Sequence, residues 1–365
     1  MNVGLKKIDW YIIKKFIMTF FRALLLIIGI VIIFDISEKV DDFVQRQAPL
    51  KAIVFDYYMN FIPYFVNMFS PLFVFITVIF FTSRLAANSE IVAILSCGVS
   101  FHRMMVPYVF SATVIALLSL SLNLWVIPKA NLQRNQFEAK YDRHHSNKTA
   151  DHNVHYQLSP GLFVTVESFS KWNNTAYGFT LETISDNRLV SQLHAESAVW
   201  DSTASAWRLK KYYIRSFEDG VLQDNVVSGS EKDTVISLNI TDFYRKKSTV
   251  ENLTQSELLE LIEVQKMRGD ANVKYSQIEL HNRFSLPVSA FILTLMGVAL
   301  SSKKKRGGIG WNLAIGIALS FSYIFFMRFS QMFVYTGALP PAVAIWMPNF
   351  LYAIIAAVMY KVAPK

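Results

Sequence analysis

The 365-residue chain is 53% hydrophobic and carries 29 Phe but only 17% charged residues, whereas a soluble domain of this length holds about 25% charge. Its net charge of +9 gathers beside apolar blocks, which points to membrane orientation and sets aside nucleic-acid binding. The single cysteine, Cys97, excludes an intrachain disulfide, so any extracytoplasmic domain must hold together by packing alone.

Lys6, Lys7, Lys14 and Lys15 precede an apolar run from Phe16 to Phe34. A secretory signal has an apolar core of about 7–15 residues followed by a small-residue cleavage site. This run is longer and has no such site, so it predicts a retained first membrane helix. Further apolar blocks near 56–81, 104–127, 284–301, 309–334 and 340–360 are each long enough to span about 30 Å of hydrocarbon at 1.5 Å per residue. The expected fold class is a helical membrane protein with six transmembrane helices, three on each side of a polar middle. Residues 35–52 hold Asp35, Glu38, Lys39, Asp41, Asp42, Arg46 and Lys51 and read as a solvated turn, in which Asp35 has no obvious partner.

Between the second and third apolar blocks lies a short separate helix, 88–100. Asn88 or Ser89 is placed to cap it, and Glu90 falls in the first turn, where the helix dipole favours negative charge. Ile91, Ile94 and Leu95 share one face, and Gly98 is a terminator. Such a helix suits either a groove on a partner protein or the plane of lipid headgroups.

After the third span, 129–150 reads as a polar linker. His144, His145, His152 and His155 invite a zinc hypothesis, but no Cys accompanies them and HExxH does not occur, so no metal site is assigned. From Val154 to about Ile240 short β-like runs follow one another: Leu162–Glu167, with Leu162, Val164 and Val166 on one face, then Ala176–Ile184, Arg188–His194 and Ser205–Phe217. Their spacing predicts an antiparallel sandwich or open barrel. Thr254-Gln255-Ser256-Glu257 is a capping box opening a helix that ends at Gly269. Glu279, His281 and Arg283, at the start of the fourth span, read as anchoring polar groups at the interface, since no nucleophile or metal set converges there. Arg328 lies inside the outer half of the fifth apolar block; a charge at that depth should face a cavity, a partner or the interface. No GxxxxGK[ST] occurs, so the chain is expected neither to hydrolyse ATP nor to need a cofactor.

Thirteen Lys and Arg flank the helix ends on one side (Lys6, Lys7, Lys14, Lys15, Arg22, Arg84, Arg103, Lys303, Lys304, Lys305, Arg306, Lys361 and Lys365), against Lys39, Arg46 and Lys51 in the short loops opposite. The positive-inside rule then puts both termini and 82–103 in the cytoplasm and 129–280 outside.

The run Ser89-Glu90-Ile91-Val92-Ala93-Ile94-Leu95-Ser96-Cys97-Gly98-Val99-Ser100 resembles the loop between the second and third membrane helices of the LptF/LptG permeases of the lipopolysaccharide-export ABC transporter. Three more stretches carry the same resemblance: the hairpin at Trp200 and Trp207-Arg208, Glu279-Leu280-His281 with Arg283 and Pro287, and Lys303-Lys304-Lys305-Arg306-Gly307-Gly308. It implies that 88–100 is a coupling helix docking into an LptB-type ATPase dimer, with Glu90 and Gly98 on the recurrent acidic and glycine positions and Ile91, Ile94 and Leu95 on the apolar ones. It implies a periplasmic jellyroll-like all-β domain within 129–280, between membrane segments 1–128 and 281–365. Lys39 best matches the basic residues that meet the lipid's phosphorylated head. The fifth helix becomes part of a lateral gate, which makes Arg328 a second substrate-side candidate. Implied partners are a second LptF/LptG-type permease, an LptC-type periplasmic protein and lipopolysaccharide, in the bacterial inner membrane. A non-transporting scaffold and a lipoprotein-releasing ABC permease are the alternatives.

Overall fold

The computed structural model describes residues 6–141, 151–170, 172–202, 204, 206–217, 225–238, 240, 243, 250–270, 272–302 and 308–363. It divides into two compact units. One comprises Met1–Asp142, Glu251–Gln255 and Gln277–Lys365; the other comprises Arg143–Val250 and Ser256–Ser276.

The first unit contains six helices long and apolar enough to cross a membrane. These are α1 (Lys7–Gln45), α2 (Leu50–Ala87), α4 (Phe101–Tyr141), α6 (Val273–Ser301), α7 (Gly308–Tyr335) and α8 (Pro341–Val362), with the short α3 (Glu90–Ser96) between α2 and α4. Helix α1 has 39 residues, or about 58 Å at 1.5 Å per residue, so it outruns the hydrocarbon it would cross. Helix α4 also continues past its apolar block. Residues 129–141, expected as linker, stay helical because Ala130, Asn131, Phe137 and Glu138 pack inward even though the stretch is polar on average. Two π-helical turns interrupt the regular spacing, Ile53–Tyr58 in α2 and Leu122–Val126 in α4. Each adds a residue to the turn and re-aims a side chain, as π-bulges do at functional positions.

Apolar packing alone gives helices in lipid little reason to associate, so small contacts and interhelical hydrogen bonds carry much of the specificity. Asn349 of α8 donates to the Ser285 carbonyl (2.9 Å) and accepts from the Tyr323 hydroxyl (2.7 Å), joining α6, α7 and α8. In α2 and α4, Asn67 donates to Asn123 (2.7 Å) and accepts from Ser119 (2.6 Å). Replacing Asn349 with Leu is expected to lower the unfolding free energy in SDS by about 1–2 kcal/mol. An unchanged unfolding midpoint would show that the α6–α7–α8 contact does not rely on this amide.

The second unit holds a six-stranded antiparallel meander, each strand pairing with the next: β1 (Asp151–Ser159), β2 (Leu162–Ser170), β3 (Thr175–Ser185), β4 (Arg188–Asp201), β5 (Ala206–Ser216) and β6 (Asn225–Thr234). The described strands thus form one sheet rather than the two layers of a sandwich. Its core is one-sided and closed by Leu238 and Phe243, with Phe243 stacked on Phe169 at 4.2 Å and the Trp207 indole donating to the Leu238 carbonyl (2.8 Å). Helix α5 (Gln255–Met267) follows.

The ladder contains an irregular row across which the register runs on unchanged. Pairing runs Val166–Phe179 then Ser168–Tyr177, Phe179–Ala195 then Tyr177–Ser197, and Ala195–Tyr212 then Ser197–Lys210. Glu167, Gly178, Glu196 and Lys211 fall between those pairs, and both Gly178 (φ 61°) and Lys211 (φ 49°) adopt left-handed backbone. Across the row the spacing of buried residues is three: Val166 to Phe169, Ala176 to Phe179, Ala195 to Ala198. Because the pairing register is the same on both sides, the row inserts no residue in one strand relative to its neighbour; it changes the facing parity of all of them together. It also explains why strict alternation in β2 stops at Val166.

Candidate functional site

Helix α3 is a single short segment between two spans, and its ends are built differently from the sequence expectation. Ser89 takes left-handed backbone (φ 61°) and makes no side-chain cap. Glu90 fills the first turn instead, accepting from the Tyr11 hydroxyl (3.0 Å) and the Asn88 amide (3.3 Å). A carboxylate there complements the helix dipole. At the other end Gly98 adopts φ 79° and its N–H reaches the Leu95 carbonyl (3.0 Å), the left-handed terminator its position predicted. The apolar residues split. Ile91 is 1% exposed and belongs to the same buried cluster as Leu85 and Phe101, so it anchors α3 to its own spans. Ile94 and Leu95 are half-buried, and Val92 and Cys97 are exposed.

Two further contacts fix the base of this segment. Arg103 makes a two-pronged pair with Asp9, at 2.9 Å and 2.6 Å, and Asp9 also accepts from the Lys6 backbone N–H (2.7 Å). Asp9 is 2% exposed, so α1 and α4 are clamped where α3 rejoins the spans. Ser100 caps α4 by accepting from the Arg103 N–H (3.3 Å).

At the far end of α1, Lys39 is engaged rather than free. Its ammonium donates to Tyr57 (2.7 Å) and pairs with Glu138 (3.1 Å), whose carboxylate also faces Arg134 (3.8 Å). Asp35, expected without a partner, accepts from both Tyr57 (3.1 Å) and Tyr58 (2.9 Å). The π turn of α2 lets these adjacent tyrosines reach one carboxylate.

Across residues 10–362 the chain matches the family model of the lipopolysaccharide export system permease LptF/LptG. The chain belongs to the LptF/LptG family. No curated protein matches it. Membership makes it a lipopolysaccharide export permease, a transporter subunit rather than an enzyme, and a multi-pass protein of the inner membrane.

Within this LptF/LptG chain, Arg328 of α7 lines a cavity of about 60 Å³ together with Tyr64, Asn67, Glu279, Asn282 and Arg283. Arg283 corrects the expectation of an interfacial anchor, being 1% exposed. Its guanidinium donates to Glu279 (3.1 Å), to the Gln255 side chain (3.3 Å) and to the Leu253 carbonyl (2.7 Å). One turn separates it from Glu279, which gives the pair an i,i+4 geometry in the sequence. The backbone acceptor at Leu253 leaves no sequence signal. Tyr11, Asp9, Tyr57 and Glu138 were likewise outside the sequence expectation, because each meets its partner across many residues of chain.

The histidine cluster resolves only in part. His144 and His145 lie outside the described residues, as do Lys303–Gly307, while the His155 ring bonds the Thr165 hydroxyl (3.0 Å). Among the described residues, no group of three or more His, Cys, Asp or Glu is placed to hold a metal ion.

Proposed function

We propose that this permease is half of an ATP-driven lipopolysaccharide extractor, with α3 as the segment that receives the stroke of a separate LptB-type ATPase dimer. A second LptF/LptG-type permease completes the cavity, both termini and α3 face the cytoplasm, and the β unit lies in the periplasm beside an LptC-type partner to which lipid passes. The observation that carries this reading is the split of α3. Ile91 and, in part, Leu95 pack inward while Val92 and the half-buried Ile94 remain accessible to a partner groove. The Asp9–Arg103 clamp and the Tyr11–Glu90 hydrogen bond give α3 a rigid connection to α1 and α4. A cycle does work only if the two cavity states differ in affinity for the lipid; Lys39 and Arg328 are the proposed contacts on that side.

Cys97 supplies the test, being the single cysteine and exposed. A membrane-impermeant maleimide should label it only after the inner membrane is opened, and affinity purification of the chain should bring down an ATPase and a second permease. Labelling in intact spheroplasts would overturn the arrangement, because no nucleotide engine works on that side. Recovery of the chain alone would favour a scaffold.

A further inference from the structure

At the α3 end of the helical unit a cleft of about 220 Å³ opens between α1, α2 and α3, lined by Lys15, Thr19, Arg22, Phe80, Arg84 and Glu90 among others. Its charge is lopsided, with three cations facing one carboxylate. Lys15 is engaged by Tyr11, which in turn donates to Glu90. The Arg22 and Arg84 guanidinium groups make no hydrogen bond or ion pair with any described residue. Arg22 is exposed and also lies inside the apolar run Phe16–Phe34, where a charge must face a cavity, a partner or the interface.

The surroundings specify what kind of anion fits. Leu25 and Leu26, three and four residues on from Arg22 and hence on its face of α1, are 75% and 61% exposed. On α2, Phe80 is 40% exposed beside Arg84. Cations at the mouth of the cleft thus continue directly into bare apolar surface. A free anion satisfies only the first feature and an acyl chain only the second. Basic pockets between membrane helices bind the phosphate of lipid headgroups on this logic.

We propose that the cleft holds the phosphodiester of a membrane phospholipid, bound by Arg22 and Arg84, with its chains lying along Leu25 and Leu26. The assignment to the cytoplasmic leaflet rests on the orientation proposed above; the site itself does not. Because Glu90 forms one wall, the bound phosphate sits beside the residue through which α3 is tied to α1. Occupancy by lipid and the setting of the coupling segment are therefore linked.

The full-length protein, supplied in detergent with dioleoylphosphatidylglycerol and examined by native mass spectrometry, should retain one lipid. Retention should fall about fivefold for each arginine in the Arg22→Gln and Arg84→Gln variants, and should survive in Arg22→Lys/Arg84→Lys, which keeps both charges and controls for folding. Dioleoylglycerol, with the same chains and no phosphate, should not be retained. Equal retention of phosphatidylglycerol by the Gln variants would overturn the site, and so would retention of dioleoylglycerol. Displacement by inorganic phosphate at matched concentration would reassign the cleft to a free anion and overturn the lipid. Loss of the lipid whenever an ATPase is bound would assign the arginines to that protein's carboxylates. External labelling of Cys97 would sink the export orientation while leaving these retentions unchanged, so the two failures are separable.

Discussion

Glu90→Lys is expected to abolish lipopolysaccharide release while leaving a folded, membrane-inserted chain. The carboxylate lies in the first turn of α3 and accepts from Tyr11 (3.0 Å) and Asn88 (3.3 Å). A lysine there opposes the helix dipole and joins Lys15, Arg22 and Arg84 around one cleft. Near the surface such a reversal alters stability by about 1 kcal/mol or less. Reversing one charge of a docked ion pair costs a complex about 2–5 kcal/mol, which is about 30-fold or more in affinity. Purified with its partners, the variant should lose at least that factor in stimulated ATPase activity and in lipid release, with unchanged helical circular dichroism. Release at the parental rate would remove α3 from the transmission path. The milder Tyr11→Phe separates two roles of Glu90, since it deletes only the intramolecular bond and should leave partner binding nearly intact.

The largest expected stability effect belongs to Arg283→Met. Its guanidinium is fully enclosed and offers three donors to Glu279, Gln255 and the Leu253 carbonyl. Removing it strands a carboxylate that is 22% exposed and a backbone oxygen without a donor, and breaking a buried pair from one side costs about 3–5 kcal/mol. A drop of that size should appear as a lower thermal midpoint in detergent and a smaller yield of monodisperse protein. Combining Arg283→Met with Glu279→Leu should restore part of the loss, because the second change removes the stranded charge. If the single variant melts with the parent, these bonds are not sustaining the 251–255 segment.

Much of the helical architecture is legible from the chain because the bilayer imposes one simple rule on it. Long apolar runs must be helical to satisfy their own backbone, so the six spans follow from composition. The short α3 is legible for a different reason. Its Glu at the start and Gly98 at the end are local signals, and both operate as their positions predicted, although Ser89 does not cap. What stays hidden is pairing at long range. Nothing near Asp35 announces Tyr57 and Tyr58, because an irregular turn of α2 aims them, and nothing near Asp9 announces Arg103, 94 positions away. The polar end of α4 is hidden too, since average hydropathy falls there while one face stays buried. In the sheet, β-forming runs between turn residues identified β2 to β5, but nothing in them announced the row at Gly178 across which the buried parity changes.

That row has a consequence for how the β unit tolerates change. Side chains on its two sides face the core in opposite parity, as though the sheet were written in two reading frames joined at Glu167, Gly178, Glu196 and Lys211. A one-residue slip inverts every side chain beyond it. Deleting Thr180 from β3 would therefore turn Leu181 and the residues after it to the opposite face, while Phe179 and Ala176, both before it, kept their places.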